Sequence, residues 1–378
     1  MIALDAFKRS ACRRFYQTTS SDHTPFRVLF FGRDEFSCVV LEQLHAAKDV
    51  WSDIHIVTNP DVKTGRRGSQ LSISPLKILG QQLDLTVHTI PHEKTSFKNW
   101  QPPESFYTSE TLQQPSSQYL LVTASFGRIL PNSLLNIFAP PRRLNVHPSL
   151  LPAYRGAAPI QYALLDGREE TGVCVIGMTE RKKGIDSGDI WGCTKLKIPE
   201  GSMFTTLRES LALEGGKLLV SVLRDMLAGK AKSTPQVTDP SAPRAPLITA
   251  EDSLIDFPTM TAEHIVRRYR AISHQKPIVA LLKTKRTLQL HSPSVLAERS
   301  TDTLELIPRP GLAVYHLPKS SLLIRCAADT VLSVPQVKQQ DRALLKAKEW
   351  WNGVRPEMRM SEEGPVQFLS WDALDASN

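Results

Sequence analysis

Short apolar runs and stretches of helical spacing alternate along the first half of the chain. Predominantly apolar runs of four to seven residues indicate buried strands. They lie at 27–32, 54–58, 119–124, 144–147 and 172–178. Apolar residues recur every three or four positions from Phe36 to Leu44, and Ser74 with Pro75 begins a second helical stretch that reaches Leu83. This order predicts an α/β fold, a Rossmann-like, mostly parallel open sheet with helices on both faces.

The pattern changes beyond residue 190. Residues 191–198 alternate between apolar and polar, which favours an antiparallel edge strand, and 205–227 predict a long amphipathic helix. Residues 230–250 contain four prolines and little periodicity, which is typical of a linker. A helix over 261–272 and short alternating segments then predict a smaller, mainly β domain. These segments lie at 287–291, 312–316 and 322–326.

The pattern therefore divides the chain into an α/β domain at 25–229, a linker at 230–250, a second domain at 251–360 and an acidic tail at 361–378. Residues 91–118 are rich in Pro, Ser, Thr and Gln, and we expect a long surface loop or partly disordered insert there.

Residues 1–24 have the composition of a mitochondrial targeting leader. Within residues 1–19, four basic residues and one acidic residue are interspersed with apolar side chains, and a hydroxyl-rich run spans 17–21. The prediction is a location in the mitochondrial matrix. The alternative is an ordinary disordered basic tail, because compositional signals of this kind are not specific.

Composition and charge narrow the function further. No apolar run approaches the roughly 20 residues that a membrane span needs, so no membrane partner is expected. Five cysteines without C-x-x-C spacing argue against a disulfide scaffold or a zinc site. The net charge is +8, yet residues 262–360 alone hold 17 Lys and Arg against 8 Asp and Glu. The positive charge therefore belongs to the second domain, where it indicates either nucleic-acid binding or a solvated basic surface.

Candidate chemistry lies where the run at 144–147 ends. Asn145 and His147 are two residues apart, so a strand directs both to one face, and Pro148 stops the pairing. An amide donor beside a titrating base suits acyl or one-carbon transfer. A second candidate is the Gly-rich loop at 184–189, which carries two aspartates, Asp186 and Asp189, and a carboxylate on it could reach and orient the imidazole. A hydrogen-bonded turn explains the same loop without catalysis.

A basic loop at 59–68 follows the second predicted strand. It has the spacing of neither a P-loop nor a dinucleotide-binding loop. Contact with phosphates is one interpretation, and a solvated loop is the other.

Several motifs together resemble one family. They are Ala124–Pro131, Asn145–Pro152, Arg155–Gln161 and Gly184–Asp189. In this order they are similar to methionyl-tRNA formyltransferases, and the likeness runs from about residue 27 to about 355. The resemblance implies transfer of a formyl group from 10-formyltetrahydrofolate to the α-amino group of initiator methionyl-tRNA, without a metal, by a monomer. It also implies a C-terminal, OB-like barrel that binds tRNA.

The resemblance assigns roles to individual residues. The implied catalytic residues are Asn145, His147 and Asp186. The implied folate-binding residues are Ser149, Leu150, Leu151, Pro152, Phe126, Gly127 and Leu130. The implied tRNA-binding residues are Lys63, Arg66 and Arg67, and a one-residue insertion leaves open which arginine matches the family's basic loop.

The sequence departs from the family in the first loop, Gly32–Phe36, and by charged residues inserted at 180–183 before Gly184. Two other classes of function stay open at this point. One is a formyltransferase or hydrolase that uses the same folate with a small acceptor. The other is a noncatalytic RNA-binding relative.

Overall fold

The computed structural model describes residues 24–65, 68–106, 115–180, 182, 184–297 and 301–372. The predicted leader lies outside these residues except for Thr24. Strands of the first domain and the linker are β1 (Phe26–Phe31), β2 (Trp51–Thr58), β3 (Val62–Thr64), β4 (Gln70–Ser72), β5 (Thr86–Thr89), β6 (Tyr119–Ala124), β7 (Arg143–His147), β8 (Arg155–Gly156), β9 (Glu170–Gly177), β10 (Ile190–Lys197) and β11 (Arg244–Ala245). Helices there are α1 (Glu35–Ala46), α2 (Pro75–Gln82), α3 (Lys94–Lys98), α4 (Asn132–Leu135), α5 (Pro159–Leu165) and α6 (Phe204–Leu227).

Seven strands form the main sheet, in the order β10-β9-β7-β6-β1-β2-β5. The strands from β7 to β5 are parallel, whereas β9 runs antiparallel to β7 and β10 antiparallel to β9. The predicted Rossmann-like, mostly parallel sheet is confirmed. Strand order reverses between β1 and β6, and ligands of such sheets bind beyond the carboxyl ends of the strands at that point.

Helices cover both faces of this sheet. The long helix α6 packs on α1 and β9, and its buried side chains join the larger hydrophobic core. A second core on the other face gathers aromatic residues, including Phe31 and Phe126. The 91–118 insert differs from the expected loop, because Phe97 and Phe106 are buried in this second core. Residues 107–114 lie outside the described chain.

The second domain is mainly β, as predicted. Its strands are β12 (Val279–Leu282), β13 (Thr287–His291), β14 (Ser294–Val295), β15 (Leu312–His316), β16 (Ser321–Arg325), β17 (Val331–Val334), β18 (Gln336–Gln339), β19 (Leu344–Lys346) and β20 (Val366–Leu369). Its helices are α7 (Ala262–Ile272), α8 (Thr301–Leu306) and α9 (Ala347–Asn352). The nine strands pair in the order β14-β17-β16-β15-β20-β12-β13-β18-β19. The OB-like barrel stays a prediction.

The predicted acidic tail differs from the structure. Strand β20 lies within it and pairs with both β12 and β15. Val366 and Phe368 alternate inward and are buried, so this segment belongs to the second domain's core.

The two domains share a packed interface. Helix α7 packs on α5, and the Arg267 guanidinium donates to the Leu165 carbonyl oxygen at 3.2 Å. The rings of Phe204 and His274 stack with centroids 3.7 Å apart. The linker is also anchored, because β11 pairs with β8, the strand that follows β7 in the chain. Among the described helices, none is long and apolar enough to cross a membrane.

Candidate active site

Strand β7 carries Asn145 and His147 on one face, as the sequence predicts. Parallel β6 and antiparallel β9 flank it, so its position is fixed from both sides. The Thr123 hydroxyl on β6 donates to Asn145 Oδ1 at 2.7 Å. Because that oxygen accepts a hydrogen bond, the amide nitrogen of Asn145 faces the loop that holds Asp186. Asn145 Nδ2 donates to Asp186 Oδ1 at 3.3 Å.

The imidazole of His147 is held at both nitrogens. Its Nε2 lies 3.0 Å from the Tyr154 carbonyl oxygen, which can only accept, so Nε2 carries a proton. Its Nδ1 faces Asp186 Oδ2 at 3.6 Å. With Nε2 committed to the carbonyl, Nδ1 is the nitrogen that can exchange a proton in the site. The ring is 4% exposed, which limits competition from water.

Tyr154 is itself anchored, which keeps its carbonyl in place. The phenol donates to Asp166 at 2.8 Å and accepts from Arg168 Nε at 2.7 Å, while the Tyr154 N–H donates to the Pro243 carbonyl of the linker. Burial raises the pKa of Tyr154 to about 12, so the phenol stays neutral near pH 7. The residue therefore orients His147 through its backbone.

Asp186 completes the predicted trio. Its Oδ2 accepts the Gly156 N–H at 3.1 Å in addition to facing His147, and its backbone has a φ of 54°, a left-handed conformation that costs non-glycine residues energy. Gly156 has a φ of 131°, and a Cβ there would lie 2.3 Å from the Ala245 carbonyl oxygen. Only glycine allows the linker strand β11 to approach this closely.

The linker also holds the Asp186 loop through Gln236. The Gln236 Oε1 atom accepts two hydrogen bonds from Arg155, at 3.0 and 2.5 Å. Its Nε2 donates to the Asp186 carbonyl at 2.8 Å and to the Gly188 carbonyl at 2.7 Å. One amide therefore ties the loop after β7 to the loop after β9, and Asp186 lies on the second of them.

The segment after β7 holds the predicted folate contacts. Ser149 is fully buried and donates to the Ala153 carbonyl at 2.7 Å, so its hydroxyl supports the loop from within. Leu151 is buried against Ile176 and Cys174. Leu150 is half-buried and Pro152 is partly exposed, and a cis bond joins Leu151 to Pro152.

The loop after β6 is the second predicted folate contact and adjoins the first, because β6 and β7 are parallel neighbours. Phe126 and Leu130 are buried in the second core, so their side chains fix the loop. Within the described chain, backbone groups of residues 126–130 make no hydrogen bond to other backbone groups. Such open donors and acceptors beside apolar residues are available to a polar ligand.

The unusual first loop joins this region. Asp34 accepts the Ser37 N–H at the start of α1 and also accepts a short hydrogen bond from the Ser125 hydroxyl. Burial raises the pKa of Asp34, although the Ser125 hydrogen bond opposes that shift. The Arg33 guanidinium packs so closely on Gly127 that a Cβ there would lie 2.7 Å from it. The loop after β1 thus supports the loop after β6.

The basic loop forms a hairpin, in which β3 and β4 pair. Lys63 is exposed on this hairpin. Arg66 and Arg67 lie outside the described residues. Across the parts of the chain that are described, no three His, Cys, Asp or Glu side chains gather as a metal site would require.

The geometry suits transfer of an acyl group to an amine. Asn145 Nδ2 has two hydrogens and uses one on Asp186, so the other can donate to an oxygen that gains negative charge. His147 Nδ1 and Asp186 Oδ2 lie beside it and can take up a proton from an attacking amine.

Comparison with known proteins agrees with this chemistry. The profile of the formyl transferase family matches residues 26–223, and the profile of the formyl transferase C-terminal domain matches 247–355. The chain belongs to the formyl transferase family.

Similar proteins of known class indicate which kind of formyl transferase this chain resembles. The methionyl-tRNA formyltransferase of Listeria monocytogenes serovar 1/2a is 35% identical over 318 residues, which cover 83% of this chain and 90% of the relative. The methionyl-tRNA formyltransferase of Lactiplantibacillus plantarum is 30% identical over 338 residues, covering 89% and 98%. An N-formyltransferase structure from Helicobacter canadensis, in complex with folinic acid and dTDP-3-aminofucose, has a TM-score of 0.55 at 16% identity and covers 82% of this chain and 98% of its own. This last likeness supports the fold alone.

Sequence reasoning missed four contributors to the site: the Thr123 hydroxyl, the Tyr154 carbonyl, the Gly156 N–H and the Gln236 amide. Two of them act through the backbone, which leaves no residue type to recognise. Gln236 lies in the proline-rich linker, where no periodicity points to a contact 50 residues away.

Proposed function

We propose that this protein transfers the formyl group of 10-formyltetrahydrofolate to the α-amino group of initiator methionyl-tRNA. The single observation that carries the proposal is the contact of Asn145, His147 and Asp186 at the carboxyl end of β7. Membership of the formyl transferase family and 30–35% identity to methionyl-tRNA formyltransferases support it.

The donor supplies an electrophilic formyl carbon, and residues of the chain stabilise the charge that develops and accept the proton that is released. Attack by the neutral amine places negative charge on the formyl oxygen, where Asn145 Nδ2 can donate. Loss of one such donor typically costs about 100- to 1,000-fold in rate. Asp186, oriented by Gly156 and paired with His147 Nδ1, helps to accept the amine proton. General acid–base help is typically worth about 100- to 10,000-fold.

Folate binding is assigned to the loops after β6 and β7. The open backbone groups of residues 126–130 match a polar ring edge, and Leu150 to Pro152 border the same strand ends. Because Phe126, Leu130 and Ser149 are buried, we propose that they hold the loops in shape while the backbone contacts the ligand.

Binding of tRNA is assigned to the hairpin and to the second domain. Lys63 is exposed, and the basic residues of the second domain supply the excess positive charge. Phosphate contacts give affinity that falls with salt. We propose that the protein serves translation initiation in the mitochondrial matrix, and the basic, hydroxyl-rich leader supports this location. We also propose that it acts as a monomer.

A test of the acceptor decides between the proposal and its rivals. The protein is supplied with 10-formyltetrahydrofolate and either methionyl-tRNA, free methionine, other aminoacyl-tRNAs or small sugar amines. We expect formylation of methionyl-tRNA in clear preference to the others. Formylation of a small amine without methionyl-tRNA would replace the proposal with a small-acceptor enzyme.

Localisation needs its own experiment. We expect the protein purified from mitochondria to begin beyond the basic leader when its N-terminus is sequenced. An intact Met1 on organelle-purified material would argue against cleavage of a leader.

A further inference from the structure

Strands β9 and β10 hold two cysteines that the proposed reaction does not use. Cys174 and Cys193 lie directly opposite each other in the antiparallel register, and their Sγ atoms are 2.9 Å apart. Cys174 is fully buried, whereas Cys193 is exposed. The two thiols therefore differ in access to solvent although they touch.

The strand register favours a bond between them. The Ile198 N–H donates to the Glu169 carbonyl, so these residues form a hydrogen-bonded pair. Hydrogen-bonded and non-hydrogen-bonded pairs alternate, and the register is unbroken from Cys193 to Lys197, so Cys193 and Cys174 form a non-hydrogen-bonded pair. Opposite Cα atoms in such a pair are about 4.5 Å apart, within the range that a disulfide spans.

We propose that Cys174 and Cys193 form a reversible disulfide when the protein meets a hydroperoxide. The Cys193 thiolate attacks the peroxide, the O–O bond breaks, and Cys193 becomes a sulfenic acid while the other oxygen leaves as an alcohol or water. The Cys174 sulfur then attacks Cys193 Sγ, the S–O bond breaks, and water leaves with the Cys174 proton. Two thiols lose two electrons, and the peroxide gains them.

The electrostatic environment supports the order of these steps. The hydrogen bond from the Cys174 thiol lowers the pKa of Cys193, which favours the thiolate at the exposed position. The same contact and burial raise the pKa of Cys174, which cannot meet the oxidant and acts second. Desolvation raises the pKa values of partly buried Cys38 and of buried Cys326 to about 12, so both thiols react slowly and serve as internal controls.

The bond would close a loop that contains Asp186. Residues 175–192 lie between the two cysteines, and Cys174 is also opposite His147 across the β7–β9 pairing. Oxidation would therefore covalently join the two strands that carry the Asp186 loop, and one of them, β9, is the direct neighbour of the strand that carries His147.

Peptide mapping of the full-length protein tests the proposal. After mild hydrogen peroxide treatment and blocking of free thiols, trypsin should release residues 169–181 joined to 184–195, with the mass of two hydrogens lost. Dithiothreitol should separate the two peptides. In Cys174→Ser, Cys193 should instead be trapped as a sulfenic acid by dimedone, whereas in Cys193→Ser, Cys174 should stay a free thiol.

Two results would overturn the proposal. One is irreversible oxidation of Cys193 while Cys174 stays free in the wild-type protein. The other is oxidation of Cys38 or Cys326 at the same rate as Cys193. Thermal unfolding of both variants under reducing conditions checks that each is folded. If one variant does not fold, the other is still compared with the wild type.

Discussion

Replacing Gln236 with methionine tests how the linker positions the catalytic loop. Methionine has a similar length but no group that can replace the amide's hydrogen bonds. The variant loses the bonds from Nε2 to the carbonyls of Asp186 and Gly188, and it frees Arg155 from Oε1. Nothing that faces the reacting atoms is removed.

The magnitude follows from the two carbonyl bonds. A hydrogen bond contributes about 1 kcal/mol net, so the loop loses about 2 kcal/mol of restraint. Asp186 is held at a φ of 54°, a strain of about 1 kcal/mol or more that the freed loop can relieve. A change of 2 kcal/mol corresponds to about 30-fold in population, so kcat should fall by about 10- to 30-fold.

Steady-state formylation of methionyl-tRNA measures this effect. We expect kcat to fall while KM for methionyl-tRNA stays within about twofold, because the variant leaves the proposed tRNA contacts unchanged. Gln236→Glu, which can still pair with Arg155 but cannot donate to the carbonyls, should behave in the same way. Gln82→Met, on the exposed side of α2, is the matched control.

A folded Gln236→Met variant with kcat within twofold of wild type would refute the reasoning. A lower melting temperature with unchanged kcat would likewise reduce Gln236 to a structural role.

Three further predictions concern other parts of the molecule. Thr123→Val removes the hydroxyl that orients Asn145 and should lower kcat about tenfold, whereas Thr123→Ser should stay near wild type; equal rates would contradict the assigned orientation. Lys63→Gln should weaken tRNA binding and reduce the slope of log K against log salt by about one, with exposed Lys98→Gln as control; an unchanged slope would remove the hairpin from the tRNA contact. Burial and nearby Arg208 lower the pKa of His274 to about 4, so the folded ring is neutral at pH 7 and the free energy of unfolding should decrease as the pH falls from about 6.5 towards 4. The loss should be less than about 1 kcal/mol because the ring is partly exposed. Urea unfolding at pH 7.5 and 5 should show a smaller pH effect in His274→Phe than in the wild type, and identical pH effects would contradict this.

Local patterns predicted Asn145, His147 and the Gly-rich loop at 184–189, whereas the family resemblance selected Asp186 within that loop. Asn145 and His147 follow the twofold period of a strand that ends at proline, and Asp186 lies in a loop whose glycines mark a tight turn. In the structure these three side chains meet within 3.6 Å. The fold could also be predicted from the sequence, because continuous apolar runs separated by helical spacing specify a parallel sheet covered on both faces.

Contacts between residues far apart in the sequence could not be predicted from local patterns. Phe97 and Phe106 lie in a segment whose polar, proline-rich composition conceals their burial. Strand β20 is four residues long, too short for its alternation to stand out among neighbouring charges. Gln236 reaches Arg155 across 81 positions, and only tertiary packing brings such residues together.

Comparing two aspartates of one loop tests the central claim most directly. Asp186 contacts Asn145 and faces His147, whereas exposed Asp189 lies three residues away and contacts neither. The measurement is the single-turnover rate of formyl transfer from 10-formyltetrahydrofolate to methionyl-tRNA. Asp186→Asn should be at least about 100-fold slower than wild type, and Asp189→Asn should stay within twofold. Equal rates for the two variants would contradict the assignment of Asn145, His147 and Asp186 as the catalytic trio.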